Sequence, residues 1–208
     1  MSELSLPFYK NRHRGEKFLV YGLGTSLDQF PPEFYAAFPG IVIGVNEVIY
    51  PGLFYPDYLF NVNLFHDKDY NAFYDFEGNE IVYSYATPPD KVCLIGEPYL
   101  PMVGTGAVPA IAAAYFMGAS EIYLIGIDFN LGANGRIYHS ACPKIKATLV
   151  DPAKYKLADK KEPEVQATLR CLSEMFLKYA EQGVRCFNLS QNSRLENIEV
   201  VKWPTLPS

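Results

Sequence analysis

The chain has 208 residues, of which 49% are hydrophobic, and a formal net charge of −5 at pH 7. A chain of this length buries about 70% of the surface that it would expose unfolded, so it can fold as one domain without disulfide bonds, and its acidic balance argues against binding to duplex nucleic acid. Without a signal peptide or an apolar run long enough to span a bilayer, we expect a cytoplasmic protein with no integral membrane segment.

Short apolar runs predict strands, and amphipathic or alanine-rich stretches predict helices between them. The first strand, Lys17–Tyr21, stops at Gly22, and Pro31–Pro32 opens a helix because proline is tolerated in a first helical turn. Alanine-rich residues 105–117 predict a second helix, and the apolar spacing of residues 164–182 predicts a third. The other predicted strands are residues 41–45, 58–62, 81–85, 92–95, 122–127 and 184–188.

This alternation of strands and helices is typical of an α/β protein with a Rossmann-like, doubly wound, mostly parallel sheet. We predict one nucleotide-binding domain over residues 17–195, with a solvated N-terminal arm (1–16) before it and a C-terminal tail (196–208) after it. Residues 128–161 lack periodicity and contain several glycines and prolines. Because a long irregular segment in a compact domain is usually functional, we predict a lid-like loop there.

The turn after the first strand is the main candidate for ligand binding. Gly22 and Gly24 have no side chain, so a phosphate can approach the backbone closely while nearby amides donate to its oxygens. Ser26 supplies either a further hydroxyl donor or a cap for the next helix. A plain tight turn is the alternative explanation of the same residues.

The ends of the second and third strands indicate which nucleotide the turn would bind. Dinucleotide-binding folds place an acidic residue at the end of the second strand, where this chain has Asn46. Asn61 and Asn63 lie at the end of the third strand, and amides of this kind suit a ribose or a pyrimidine. The sequence therefore favours a mononucleotide or a nucleotide-sugar over NAD, although each asparagine could instead cap a turn.

Several motifs occur in an order that resembles a known family. They are Val20–Leu27, Gly44–Asn46, Thr105–Gly106, Gly118–Phe129 and Gln191–Ser193. Together they resemble the bacterial sialyltransferases of glycosyltransferase family 42, and they are similar to the wider group that includes the 6-hydroxymethylpterin diphosphokinase-like proteins. The resemblance covers residues 17–195 with gaps, and its most specific part is Glu121–Phe129.

The resemblance implies a metal-independent enzyme that transfers a sugar from a CMP-activated donor to a glycan acceptor. The positions that would contact the nucleotide, its phosphates or the sugar carboxylate are Gly24, Thr25, Asn46, Asn61 or Asn63, Thr105 and Gly106. Tyr138 matches one of two tyrosines that hold the leaving phosphate, where a phenol can stabilise the developing charge.

The chain also departs from the family pattern at three positions. The second phosphate-binding tyrosine is replaced by Asn130, and an arginine of the family is replaced by Met102. The family's catalytic histidine precedes the last long helix, where residues 160–164 of this chain contain no histidine. A different side chain must therefore act as the base if the chain is an enzyme.

His139 is the main candidate for that base, because it lies beside Tyr138 and the ordinary pKa of histidine suits removal of a hydroxyl proton. His66, after the third strand, is the alternative, and either histidine could instead have a structural role. Asp128 ends the most buried of the predicted strands and could hold a metal, orient a hydroxyl or cap the following turn. No residue spacing indicates a metal site.

Three functions follow as hypotheses. The first is a sialyltransferase-like glycosyltransferase that needs no cofactor besides its CMP-sugar substrate. The second is a pterin diphosphokinase-like transferase in which Asp128 helps to hold Mg²⁺ against ATP. The third is a nucleotide- or glycan-binding protein without catalytic activity. The 16 tyrosines and 14 phenylalanines further suggest a homo-oligomer, since aromatic residues are enriched at subunit interfaces.

Overall fold

The computed structural model describes residues 9–45, 56–61, 79–82, 92–94, 105–129 and 157–202. Over these residues the chain is an α/β protein in which helices cover both faces of one parallel sheet. The predicted Rossmann-like fold class is thus confirmed. No helix in this part of the chain is long and apolar enough to cross a membrane.

Within the described residues the sheet has eight strands, and each pair of neighbouring strands is parallel. The strands are β1 (Lys17–Tyr21), β2 (Ile41–Val45), β3 (Tyr58–Asn61), β4 (Asn79–Val82), β5 (Val92–Leu94), β6 (Glu121–Ile125), β7 (Arg185–Asn188) and β8 (Glu199–Val200). Their order across the sheet is β5-β4-β3-β2-β1-β6-β7-β8. The chain therefore builds one half of the sheet outward from β1, then returns to β1 and builds the other half.

Strand β1 lies in the middle of the sheet, between β2 and β6. Leu19 of β1 is in register with Val42 of β2 on one side and with Tyr123 of β6 on the other. Phe18, Leu19 and Val20 are fully buried, so successive side chains of β1 fill the core on both faces of the sheet. Such burial on both faces explains why the strand is a continuous apolar run rather than an alternating one.

Three helices cover the faces of the sheet: α1 (Pro32–Ala36), α2 (Ala107–Phe116) and α3 (Leu157–Glu181). Phe34 of α1 belongs to the apolar cluster on the face that carries Leu19. Helices α2 and α3 lie on the opposite face, where Tyr115 of α2 stacks on Tyr179 of α3 with 4.1 Å between the ring centroids.

The start of α3 corrects the sequence prediction. The helix begins at Leu157 rather than Glu164, so the last residues of the predicted lid-like loop (128–161) are helical and Pro163 lies inside the helix. The prediction began the helix at Glu164, directly after the proline, whereas the structure accommodates the proline inside the helix, where it removes a backbone hydrogen bond. The helix-forming residues 160–162 nevertheless extend the helix on the N-terminal side of the proline.

The N-terminal arm was predicted to be solvated; the charged residues of its described part are exposed, but the arm also packs on the domain. Tyr9 is 1% exposed and belongs to the core on the α2 face. The backbone amides of Asn11, His13 and Gly15 donate to the carbonyls of residues 116–118 at the end of α2. The charged residues of the arm are exposed. A prediction based on charge therefore finds a solvated segment and not the backbone hydrogen bonds that attach it to α2.

Candidate functional site

The strand order defines a topological switch point between β1 and β6. The chain leaves β1 towards β2 on one side and comes back to the other side of β1 through α2 and β6. In parallel α/β sheets a crevice for ligands forms at the carboxyl ends of the two strands at such a point. Here these ends are the turn Gly22–Ser26 after β1 and the segment Gly126–Asp128 after β6.

The glycines of the first turn lie directly against the backbone that follows β6. The Gly22 amide donates to the Ile125 carbonyl at 2.9 Å, and the Gly24 amide donates to the Gly126 carbonyl at 2.7 Å. A Cβ atom at Gly22 would lie 2.5 Å from the Gly126 oxygen, and one at Gly24 would lie 2.7 Å from it. Since real Cβ atoms do not approach oxygen so closely, both positions need glycine whether or not a ligand binds.

Ser26 and Asp128 close the crevice through a hydrogen-bonded group. The Ser26 amide donates to Asp128 Oδ2 at 2.8 Å, and the Ser26 hydroxyl donates to Asp128 Oδ1 at 2.7 Å. The Gly126 amide donates in turn to Ser26 Oγ at 2.8 Å. Ser26 is 1% exposed and Asp128 is 4% exposed. The Asp128 carboxylate thus orients the Ser26 hydroxyl and caps the turn that follows β1.

The remaining predicted nucleotide contacts that the structure describes lie at the same edge. Thr25 is partly exposed beside buried Ser26. Thr105 and Gly106 precede α2, which ends just before β6 begins and so points its N-terminus towards the carboxyl ends of the strands. The Thr105 hydroxyl accepts a 3.4 Å hydrogen bond from the Ala107 amide. Asn61 is the last residue of β3, again at the carboxyl edge.

The structure thus brings the glycine turn and Asp128 into contact and aligns Thr105, Gly106 and Asn61 with them at one edge of the sheet. The predicted site residues that lie outside the described part of the chain are Asn46, Asn63, His66, Tyr138 and His139.

The sequence interpretation singled out Gln191–Ser193, in the segment that follows β7, but missed Arg194, which follows this motif. The Arg194 amide donates to the Asp128 carbonyl at 2.9 Å. The Arg194 guanidinium donates to the Phe129 carbonyl at 3.3 Å and to both carboxylate oxygens of Glu162 in α3. These bonds to Arg194, together with one from Gln166, lower the pKa of Glu162 to about 2. The only sequence signal for this contact was the position of Arg194 directly after the motif Gln191–Ser193.

Two polar atoms on the same segment are buried without a partner. Asn188 Nδ2 and Ser190 Oγ make no hydrogen bond within the part of the chain that the structure describes, although both residues are 1% exposed. Buried polar atoms are paired in most proteins, so we expect a ligand or an ordered water to be the partner of an unpaired donor at a strand end.

The described ranges contain no group of three or more histidine, cysteine, aspartate or glutamate residues that could hold a metal ion. Comparison with protein-family models and with curated proteins found no match to this chain.

Proposed function

We propose that this chain is a nucleotide-sugar-dependent glycosyltransferase, sialyltransferase-like in its donor, which binds a CMP-activated sugar at the carboxyl ends of β1 and β6. The observation that carries the proposal is that the switch point of the sheet coincides with the turn Gly22–Ser26. In folds of this type the crevice at the switch point is where nucleotides bind. The ordered motifs that resemble glycosyltransferase family 42 support CMP as the nucleotide.

The hydrogen bonds around Ser26 restrict where the phosphate would lie. The Ser26 amide and hydroxyl both donate to Asp128, so they are not the groups that we assign to the ligand. We assign the phosphate instead to the neighbouring Thr25 and to Thr105 and Gly106 at the start of α2. A helix N-terminus attracts anions, and the first turn of α2 contains no acidic residue to compete with a phosphate.

The proposed chemistry separates positioning from proton transfer. Asp128 holds the Gly22–Ser26 turn in place, because both of its oxygens accept hydrogen bonds from Ser26. His139 would remove the proton from the acceptor hydroxyl, with His66 as the alternative base, and Tyr138 would donate a hydrogen bond to the leaving phosphate. Asn46, Asn61 and Asn63 would contact the ribose or the base of the nucleotide.

Calorimetric titration with CMP, CDP, UDP, ATP and NAD tests the proposal, with each nucleotide measured in EDTA and in Mg²⁺. We expect CMP and CDP to bind in EDTA with a Kd between about 1 μM and 1 mM, as is usual for substrates, and NAD not to bind. Absence of cytidine-nucleotide binding would contradict the proposal. Binding of ATP that requires Mg²⁺ and is tighter than that of CMP would favour the diphosphokinase-like alternative.

Turnover is then tested with CMP-N-acetylneuraminic acid and a set of glycan acceptors. Replacement of His139 with alanine should lower kcat by about 100-fold or more, the usual contribution of a general base. If His66 is the base instead, His66→Ala causes that loss and His139→Ala does not. Equal activity of both variants and the wild-type chain would exclude a histidine base. Nucleotide binding without turnover would leave a binding protein as the function.

A further inference from the structure

The pair Arg194–Glu162 lies at the carboxyl edge of the sheet but belongs to no predicted site. Arg194 Nη2 lies 2.5 Å from Glu162 Oε1, and Arg194 Nη1 lies 3.2 Å from Glu162 Oε2. The guanidinium therefore binds the carboxylate with two parallel hydrogen bonds, the geometry in which arginine binds carboxylate and phosphate ligands. The side chains are 33% and 46% exposed, so solvent and dissolved anions reach both groups.

The position of Arg194 ties it to the candidate site. Its amide donates to the Asp128 carbonyl, and its guanidinium donates to the carbonyl of Phe129. Phe129 has a φ of 53°, a left-handed backbone conformation that few residues other than glycine adopt. Arg194 thus stabilises the unusual backbone at the end of β6, one residue beyond the aspartate that caps the glycine turn.

We propose that Arg194 binds the anionic group of the ligand, a phosphate or a sugar carboxylate, and that Glu162 occupies the guanidinium while the site is empty. The inference rests on the proposed function. Both side chains are partly exposed, so water screens their charges and weakens the pair relative to a buried one. A ligand anion that is held by other contacts as well can therefore displace the Glu162 carboxylate.

The unpaired atoms of the same segment support this assignment. Asn188 is in register with Leu124 of β6, so its side chain points to the sheet face that α2 and α3 cover. Asn188 Nδ2 is a donor, and the Ser190 hydroxyl can donate as well. Besides the partly exposed guanidinium, the segment from Asn188 to Arg194 therefore carries two buried donors that have no partner within the described residues.

The test is calorimetry with Arg194→Gln and Glu162→Gln, which have opposite expected effects. The probes are CMP, which carries a phosphate, and free N-acetylneuraminic acid, which carries a carboxylate. The control variants are Arg170→Gln and Glu174→Gln, which remove the same charges from exposed positions of α3. Circular dichroism checks that each variant is folded.

We expect Arg194→Gln to weaken binding of one probe by about tenfold or more, the loss typical of a hydrogen bond to a charged group. Glu162→Gln should tighten binding of that probe by about two- to fivefold, because the Glu162 carboxylate no longer competes with the probe for the Arg194 guanidinium. The probe that responds identifies the anion as phosphate or carboxylate. If Arg194→Gln does not fold, the Glu162→Gln result decides alone, since unchanged affinity would overturn the assignment.

The assignment also fails if Arg194→Gln binds both probes as the wild-type chain does, and the proposed function then stands without it. If the wild-type chain binds neither probe, the proposed function fails, and the same variants are titrated with inorganic pyrophosphate. An effect of Arg194→Gln on pyrophosphate binding would still support Arg194 as an anion site. No binding of pyrophosphate, or equal binding by the variants, would overturn it.

Discussion

The two edges of the sheet each hold a buried carboxylate, but they hold it in different ways. At the amino edge Glu121 lies between its register neighbours Lys17 and Arg185 and pairs with both cations. At the carboxyl edge Asp128 accepts its hydrogen bonds from the amide and hydroxyl of Ser26.

The difference lies in what each carboxylate holds in place. The cations at the amino edge belong to long, partly exposed side chains that can move, so the Glu121 pairs do not constrain the backbone closely. Asp128 binds the backbone of the turn itself and therefore fixes the shape of the crevice. A site that must hold a ligand in one geometry needs this second kind of support, which is why we place the function at the carboxyl edge.

The largest effect that would test this contrast is expected from Gly24→Ala. A Cβ atom at Gly24 would lie 2.6 Å from Asp128 Oδ2 and 2.7 Å from the Gly126 oxygen, and the backbone oxygen has little room to move. We expect a loss of about 3 kcal/mol of unfolding free energy, the upper end of the usual cost of overpacking. Urea denaturation followed by circular dichroism measures it.

Gly183→Ala is the matched control for that substitution. Gly183 has a φ of 80°, but an added Cβ would meet no atom within 4 Å. The cost should therefore be the backbone term alone, about 1 kcal/mol. Equal losses in the two variants would show that the contact between the glycine turn and the β6 end is not as close as the structure has it.

The next effect compares the two edges directly. Asp128→Ala leaves the buried amide and hydroxyl of Ser26 without their acceptor, and we expect a loss of about 2 kcal/mol. Arg185→Ala removes a guanidinium that is 67% exposed, and the loss should stay below about 1 kcal/mol. Thermal and urea unfolding give both values. A larger loss for Arg185→Ala than for Asp128→Ala would reverse the comparison.

The smallest expected effect is a pH dependence of the stability, which arises from His13 at the amino edge of the sheet. Burial, followed by the nearby charge of Arg12, lowers the pKa of His13 below 6.5, although Asp57 and Glu16 act in the opposite direction. The folded chain therefore favours neutral His13, and the unfolded chain takes up a proton first as the pH falls below 6.5. The contribution of His13 to the free energy of unfolding is therefore fully present above pH 6.5 and is lost progressively as the pH falls below it.

Urea midpoints at pH 7.5 and 5.5 test this dependence, with His13→Gln as the variant that cannot titrate. The wild-type midpoint should fall by more between the two pH values than the midpoint of the variant does. His13 Nε2 lies 2.7 Å from the hydroxyl of Tyr58, so Tyr58→Phe serves as a control that keeps the histidine but removes this partner. Equal pH dependence in the wild type and His13→Gln would contradict the prediction.

Much of the fold could be predicted from local patterns. The bounds of β1 and β2 agree with the predicted strands, and the apolar run of β6 was placed to within two residues. Apart from Lys17 and Glu121 at their first positions, the residues of these strands are apolar because the strands are covered on both faces of the sheet, and this pattern is easily recognised. The two-residue strand β8 carries no such signal, because both of its residues are exposed.

The site could be predicted only as separate pieces. The turn Gly22–Ser26 and Asp128 were both singled out, but the sequence left open whether the glycines serve a ligand and whether the aspartate binds a metal. Ser26 and Asp128 are 102 residues apart in the chain, and Arg194 and Glu162 are 32 apart. Hydrogen bonds between residues so far apart leave no periodicity and no spacing rule in a single sequence.

The sequence by itself determined the class of the fold and the edge of the sheet where polar and glycine residues collect, because burial and backbone freedom act on each residue locally. The tertiary structure decided which partners those residues have. It assigned the amide and hydroxyl of Ser26 to Asp128 and placed Arg194 beside Asp128 at the end of β6, since β1, β6 and β7 become neighbours only when the parallel sheet is assembled.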